Sequence, residues 1–295
     1  MLTNNRVLVV DDEEILRNIL SRFLKQADFE PVEAKDGKEA IELFKISNPA
    51  LVISDIMMPK MDGLTLLNEI KKIDSNAMVI LMTGYGNEDI LLEALRGGAL
   101  NFFKKPFNFH ELIKFVEHAI RHKKEPEFEG LYSQHLIEET KAFSFPTEET
   151  NILPIVNQIT LHLRKLIPES EIVNIKIGIE EIITNAIEHG NLGITFEEKQ
   201  KAIEDGRWGE FIESRLNENN NRKKLIRINS KLTEEEFRIV ISDEGEGFDW
   251  KALPEVSADN LLRYNGRGIF LTKIYFDEVI FNEKGNEVTL VKYKK

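Results

Sequence analysis

The sequence predicts an α/β doubly wound domain on a five-stranded parallel sheet, followed by an α+β sandwich domain with a mixed, mostly antiparallel sheet. Three observations carry this. Short apolar runs alternate with helical periods through the first 120 or so residues, as strands buried on both faces alternate with crossover helices. From Leu225 the hydrophobic period becomes two, the period of a sheet with one wet face. The length, 295 residues, suits two domains at roughly 100–200 residues each.

In the first half, Arg6–Val10, Ala50–Ser54 and Met78–Met82 are short, strongly apolar strands, and Glu30–Ala34 and Asn101–Lys104 are weaker ones. The stretches between them are helical. Glu13–Gln26 places Ile15, Ile19, Leu20, Phe23 and Leu24 on one face. Lys38–Ile46, Leu64–Ile73, Glu88–Gly97 and Phe109–Arg121 complete five strand–helix repeats. The polar run Lys123–Gly130 breaks the pattern. It divides the chain into a domain at 1–124, a linker at 125–137, with helix continuing over Tyr132–Lys141 as one reading, and a domain at 138–295.

The second half opens with a strand near Ala142–Phe145, helices over Glu149–Leu166 and Glu169–His189, and a charged helical region, Phe196–Leu216. Asn217–Asn221 is a loop. Leu225–Leu232 and Phe237–Ser242 alternate apolar and polar residues. Val279–Asn282 and Glu287–Tyr293 follow, the last joined through Lys284-Gly285-Asn286.

Composition removes several classes of function. With no cysteine there are no disulfides, thiolate metal sites or cysteine nucleophiles. No apolar run approaches the roughly 18 residues of a membrane helix. Met1–Asn5 leads directly into a strand, so the expectation is a cytoplasmic protein without a signal peptide. The net charge is −12, concentrated in the second half: residues 1–124 hold 17 basic and 19 acidic side chains, the rest 22 and 32. That balance argues against nucleic acid as a partner.

The polar residues of the first domain fall at strand ends. Asp11 and Asp12 end the first strand and Asp55 the third, and such ends are neighbours in a doubly wound sheet. One Asp at a strand end is as often a cap for the next helix. Three that converge repel one another unless a cation lies between them, and oxygen ligands suit magnesium. Thr83 and Lys105 end the fourth and fifth strands, with a hydroxyl and an ammonium for phosphoryl oxygens. A carboxylate in such a site can become an aspartyl phosphate.

Over residues 5–122 the chain resembles the response-regulator receiver family. The likeness rests on Val9-Val10-Asp11-Asp12-Glu13, Ser54-Asp55-Ile56-Met57-Met58-Pro59, Met61-Asp62-Gly63, Thr83-Gly84 and Lys104-Lys105-Pro106-Phe107. The resemblance implies that Asp55 is the phospho-acceptor in a domain that catalyses its own phosphorylation. Asp11 and Asp12, with Asp55 and the Met57 carbonyl, would hold Mg2+. Thr83 and Lys105 would read the phosphoryl group, and a histidine kinase would supply it. The switch aromatic three residues before the lysine is Phe102 rather than Tyr.

In the second domain Glu181 and Asn185 share a helix face, with His189 four residues on. An Asn carbonyl there can ligate magnesium and a Glu can deprotonate a hydroxyl, although such a pair is more often a solvated face. Asp243-Glu244-Gly245-Glu246-Gly247 follows a strand, and Tyr264-Asn265-Gly266-Arg267-Gly268 opens a helix over Ile269–Tyr275. A glycine turn into a helix is an anion site as well as a common cap. Phe248–Arg263 is long enough for a lid.

This set resembles the ATP-binding domain of histidine kinases, gyrase-type ATPases and Hsp90 chaperones, and within it the anti-sigma-factor serine kinases. The resemblance implies ATP and Mg2+ as cofactors, Glu181 as general base, Asn185 as magnesium ligand and Asp243 as partner of the adenine amino group. Gly245, Gly247, Gly266 and Gly268 would shape the pocket, and Thr289 would support Asp243. The implied activity is phosphoryl transfer to a serine of an anti-sigma antagonist protein, in a partner-switching system that also includes a sigma factor. The alternative is a nucleotide-gated partner-binding module with little turnover. Both families are compatible with a homodimer. A hybrid histidine kinase is disfavoured because Ser133-Gln134-His135-Leu136-Ile137 lacks the acidic residue and downstream proline of a phospho-His motif. The segment 195–224 is larger than a compact kinase of this kind needs, and is read as a partner surface in preference to a merely solvated helix.

Overall fold

The computed structural model describes residues 5–84, 88–123, 135–149, 151–250 and 267–294. These fall into two compact units, 5–123 and 135–294. Among the described residues no helix is long and apolar enough to cross a membrane.

The first unit alternates strand and helix in the order β1 (Arg6–Val10), α1 (Glu14–Gln26), β2 (Glu30–Ala34), α2 (Gly37–Ser47), β3 (Leu51–Asp55), α3 (Gly63–Ile73), β4 (Val79–Thr83), α4 (Glu88–Arg96), β5 (Asn101–Lys104) and α5 (Phe109–Lys123). All five strands are parallel, in the order β2-β1-β3-β4-β5. Every residue of β3 and β4 is buried. Helices on both faces therefore desolvate these strands, which is why they carry no polar alternation. Side-chain caps set two helix starts. Asp36 accepts the Lys38 and Glu39 amides at 3.1 Å, and Asp62 accepts the Thr65 amide at 2.7 Å.

The second unit contains β6 (Glu139–Pro146), α6 (Leu153–Thr160), α7 (Glu169–Asn185), α8 (Phe196–Glu204), α9 (Trp208–Asn217), β7 (Leu225–Leu232), β8 (Glu236–Ser242), α10 (Arg267–Tyr275), β9 (Glu278–Phe281) and β10 (Glu287–Tyr293). Its sheet runs β6-β7-β8-β10-β9, and all four pairings are antiparallel, so the described strands include no parallel pair here. Along β7, Ile226, Ile228, Ser230 and Leu232 are buried while Arg227, Asn229 and Lys231 are exposed.

Four segments differ from the sequence expectation. Glu139–Lys141, read as the end of a helical extension, is strand: β6 starts at Glu139 and pairs with all of β7. Long-range pairing there overrides local propensity. The expected helix over Glu149–Leu166 reduces to α6 and a 3-10 turn at Leu163–Lys165, with Pro154 in the first turn of α6. The helix through His189 is α-helical only to Asn185 and continues as a π-helical turn, Ala186–Asn191. Phe196–Leu216 is two helices, broken at Gly206, whose φ of 68° favours glycine. The linker residues 125–134, lid residues 251–263 and Gly266 lie outside the described residues.

Candidate functional sites

The first site lies at the carboxyl ends of β1, β3, β4 and β5. Asp11 is fully buried, Asp55 is 5% exposed and Thr83 1% exposed, whereas Asp12 is exposed. Lys105 Nζ lies 2.8 Å from Asp11 Oδ2 and 3.0 Å from Asp55 Oδ2. Asp11 Oδ1 accepts the Glu13 amide at 2.8 Å. Asp55 Oδ1 is buried and has no hydrogen-bond partner. Lys105 reaches the site because its amide donates to the Thr83 carbonyl at 2.7 Å, extending the β4–β5 register by one residue. Gly63, at the start of α3, lets that helix approach closely: a Cβ there would overlap the Asp55 carbonyl oxygen.

Burial pushes the Asp55 pKa up, against the opposing pull of Lys105. Burial also disfavours charge on Lys105, but its contacts with Asp11 and Asp55 outweigh that and hold its pKa above the ordinary value. Oxygens of Asp11, Asp12 and Asp55 lie within 4.8 Å of one another. Three carboxylates against one ammonium leave an excess of negative charge, and Asp55 Oδ1 lacks any donor. The residues therefore fit a hard divalent cation such as magnesium. Met57 is exposed; its thioether is too soft for such an ion, and its backbone carbonyl is the group whose chemistry suits one. Phe102, in β5, is 1% exposed.

The second site is a cavity of about 400 Å³ between α7, the π-helical turn, α8, β8 and β10. Glu181 and Asn185 line one wall, one turn apart on α7, and Asp243 lies on another. Close approaches at glycines surround Asp243 and Glu181. A Cβ on Gly245 would overlap the Gly190 carbonyl, and one on Gly190 would overlap the Asp243 carboxylate. Gly247 has φ 80°, and a Cβ there would overlap the Lys284 carbonyl. A Cβ on Gly268, at the start of α10, would collide with the Glu181 carboxylate. Burial pushes the Asp243 pKa up to about 6, although the Gly245 amide donates to its Oδ1 at 2.8 Å.

Thr289 is not brought to this cavity. In β10 it pairs with Val240, whereas Val288 pairs with Ile241 and both of these line the cavity. Strand alternation puts Thr289 on the opposite face of the sheet. The polar side chain beside Asp243 from this region is Asn286, whose amide donates to the Asp243 carbonyl oxygen at 3.1 Å. Asn191, in the π-helical turn, was also absent from the expected set. It is 1% exposed, its Nδ2 donates to Thr147 Oγ1 and its Oδ1 accepts the Glu244 amide, both at 2.8 Å. The only sequence signal for it was its place two residues after His189, just beyond the helix that carries Glu181 and Asn185.

Comparison with known proteins agrees with the two domains. Residues 7–117 match the response regulator receiver domain, and residues 214–292 match the histidine kinase-like ATPase domain. The second match covers β7 to β10 and α10 but neither β6 nor α7. The chemotaxis protein CheY of Bacillus subtilis is 37% identical over 117 residues, which are 39% of this chain and 98% of CheY. The regulatory protein AtoC of Escherichia coli is 40% identical over 121 residues, 41% of this chain but 26% of AtoC, so only about a quarter of that relative is spanned. A solved receiver domain protein from Clostridium thermocellum is 32% identical, covering 40% of this chain and 96% of that one, with a TM-score of 0.39. The chain belongs to the response regulator receiver family, with a histidine kinase-like ATPase domain following the receiver.

Proposed function

We propose that this chain is a cytoplasmic two-component response regulator whose phosphorylation at Asp55 controls an ATP-dependent serine kinase of the anti-sigma type. The observation that carries the kinase reading is the placement of Glu181 and Asn185 one turn apart on the wall of a cavity that the half-buried Asp243 also lines. A module that only binds nucleotide does not need a base there.

In the receiver, a histidine kinase is the phosphodonor. Asp55 Oδ1 attacks phosphorus as the phosphorus–nitrogen bond of the phosphohistidine breaks. Lys105 offsets charge on the phosphoryl oxygens and the Thr83 hydroxyl donates to one of them. Bound magnesium would neutralise the charge gathered on Asp11, Asp12, Asp55 and the phosphoryl group. In the second domain, Asp243 would accept the adenine amino group and Asn185 would hold the magnesium that accompanies ATP. Glu181 takes the proton of the acceptor serine hydroxyl as its oxygen displaces ADP from the γ-phosphorus. The serine belongs to an anti-sigma antagonist, and the sigma factor is the competing partner.

Incubation of the full chain with labelled ATP and antagonist proteins from the same genome tests this. Label on an antagonist serine, absent with Glu181→Ala, supports the reading. ATP binding with no transfer would instead assign a nucleotide-gated binding module.

A further inference from the structure

The cavity is short of positive charge for a ligand rich in phosphate. Glu181, Asp243 and Glu287 line it, and Lys199 is the one lysine or arginine among the described lining residues; His189 is the other basic group. The His189 ring is committed locally, with Nδ1 2.6 Å from the Ile194 carbonyl oxygen. Lys199 comes from α8, in the segment 195–224, and α8 ends before the stretch matched to the ATPase family begins at residue 214.

The placement of Lys199 is specified by its surroundings. Thr195 and Glu198 form a reciprocal capping box that fixes where α8 begins. Phe196 and Lys199 then lie three residues apart on one helix face, and both line the cavity. Lys199 Nζ donates to Glu188 Oε2 at 2.5 Å and sits 5.6 Å from the Trp208 ring centroid. Glu188 belongs to the π-helical turn that directly follows Asn185. It is 9% exposed, and Lys199 retains 28% side-chain exposure. An ammonium has three donors, so this contact leaves capacity for a ligand oxygen. Behind α8, Leu192, Ile194 and Leu216 form a small core against Trp208, Phe211 and Ile212, which ties the inserted helices to the cavity wall.

We propose that Lys199 binds the phosphate chain of the nucleotide, which makes the inserted segment a working wall of the ATP site and Glu188 the positioning residue for that lysine. This rests on the nucleotide reading above and adds a phosphate contact to it. The partner-surface reading of 195–224 is then secondary for α8.

Calorimetric titration of the full chain with MgATP, MgADP and adenosine separates the two ideas. Lys199→Gln is expected to weaken MgATP and MgADP by roughly tenfold, the size of one charge-assisted bond, with adenosine unchanged. Lys199→Arg keeps the charge and controls for folding, with a loss of no more than about threefold. Lys201→Gln, exposed on the same helix, should match the wild type. Equal affinity of Lys199→Gln and wild type for all three ligands would overturn the proposal. So would an equal loss for adenosine, which would make Lys199 a wall residue without a phosphate role. Failure of the wild type to bind any of the three would instead remove the nucleotide reading on which the proposal stands.

Discussion

Lys105 Nζ holds one oxygen of Asp55 at 3.0 Å while the other oxygen of that carboxylate is buried without a partner. The ammonium thus fixes the acid's orientation and leaves a single oxygen for chemistry or metal. Asp55→Asn is expected to abolish phosphoryl incorporation from acetyl phosphate while leaving affinity for an ATP analogue within about twofold, since residues of the other unit line the nucleotide cavity and the substitution leaves the receiver in its unphosphorylated state. Gel detection of the phosphoprotein and a titration check the two halves. Loss of nucleotide binding in this variant would contradict separate pockets.

Lys105→Met should destabilise the receiver by about 3 kcal/mol in the absence of divalent ions, because it leaves Asp11 and Asp55 buried together without a counter-charge. Magnesium should recover more of the melting temperature in this variant than in the wild type. Equal magnesium responses would show that the ion does not sit among these carboxylates.

Gly63→Ala places a methyl against the Asp55 carbonyl, and Gly84→Ala meets nothing within 4 Å. The first should cost about 1–3 kcal/mol, as overpacked sites do, and should slow phosphorylation. The second should leave stability within about 0.5 kcal/mol of the wild type. Thermal denaturation of both variants tests whether backbone proximity constrains this loop.

Asp243 gives the ATPase domain a pH signature. Its carboxyl titrates at about 6 in the fold against 3.8 as a free side chain, so the folded state holds the proton more tightly. The resulting penalty on stability is absent below about pH 3.8, grows between the two values and is complete above about pH 6. Asp243→Asn is therefore expected to stabilise the nucleotide-free protein at pH 7.5 by about 1–2 kcal/mol, after allowance for solvent screening. The advantage should vanish toward pH 4. The same substitution should weaken ATP by roughly tenfold through loss of a charge-assisted bond. Melting curves at the two pH values check the sign: a less stable variant at pH 7.5 would mean that the carboxylate is held favourably.

Glu181→Gln should keep ATP affinity within about twofold and lower phosphoryl transfer by 10²- to 10⁴-fold, roughly the contribution of a general base. Undiminished transfer would remove Glu181 from that role.

Much of this was legible in the sequence. Parallel strands must bring their carboxyl ends together, so the polar residues that end β1, β3, β4 and β5 could be grouped without coordinates. The antiparallel sheet was harder. Whether Thr289 or Val288 faces the cavity depends on strand parity, and one step of register reverses every side chain. Asn286 beside Asp243 and Lys199 beside Glu188 are contacts between residues 43 and 11 positions apart, and no periodicity in either segment encodes them. The start of β6 at Glu139 depends on β7, some 90 residues later, and not on its own composition.

Coupling between the two sites is the central claim, and the rate of phosphoryl transfer to the antagonist, measured before and after Asp55 is loaded by a small phosphodonor, tests it most directly. The account predicts that loading changes the rate at least severalfold in the wild type and leaves it unchanged in Asp55→Asn. The same rate in the loaded and unloaded wild type, with Asp55 shown to be phosphorylated, would contradict it.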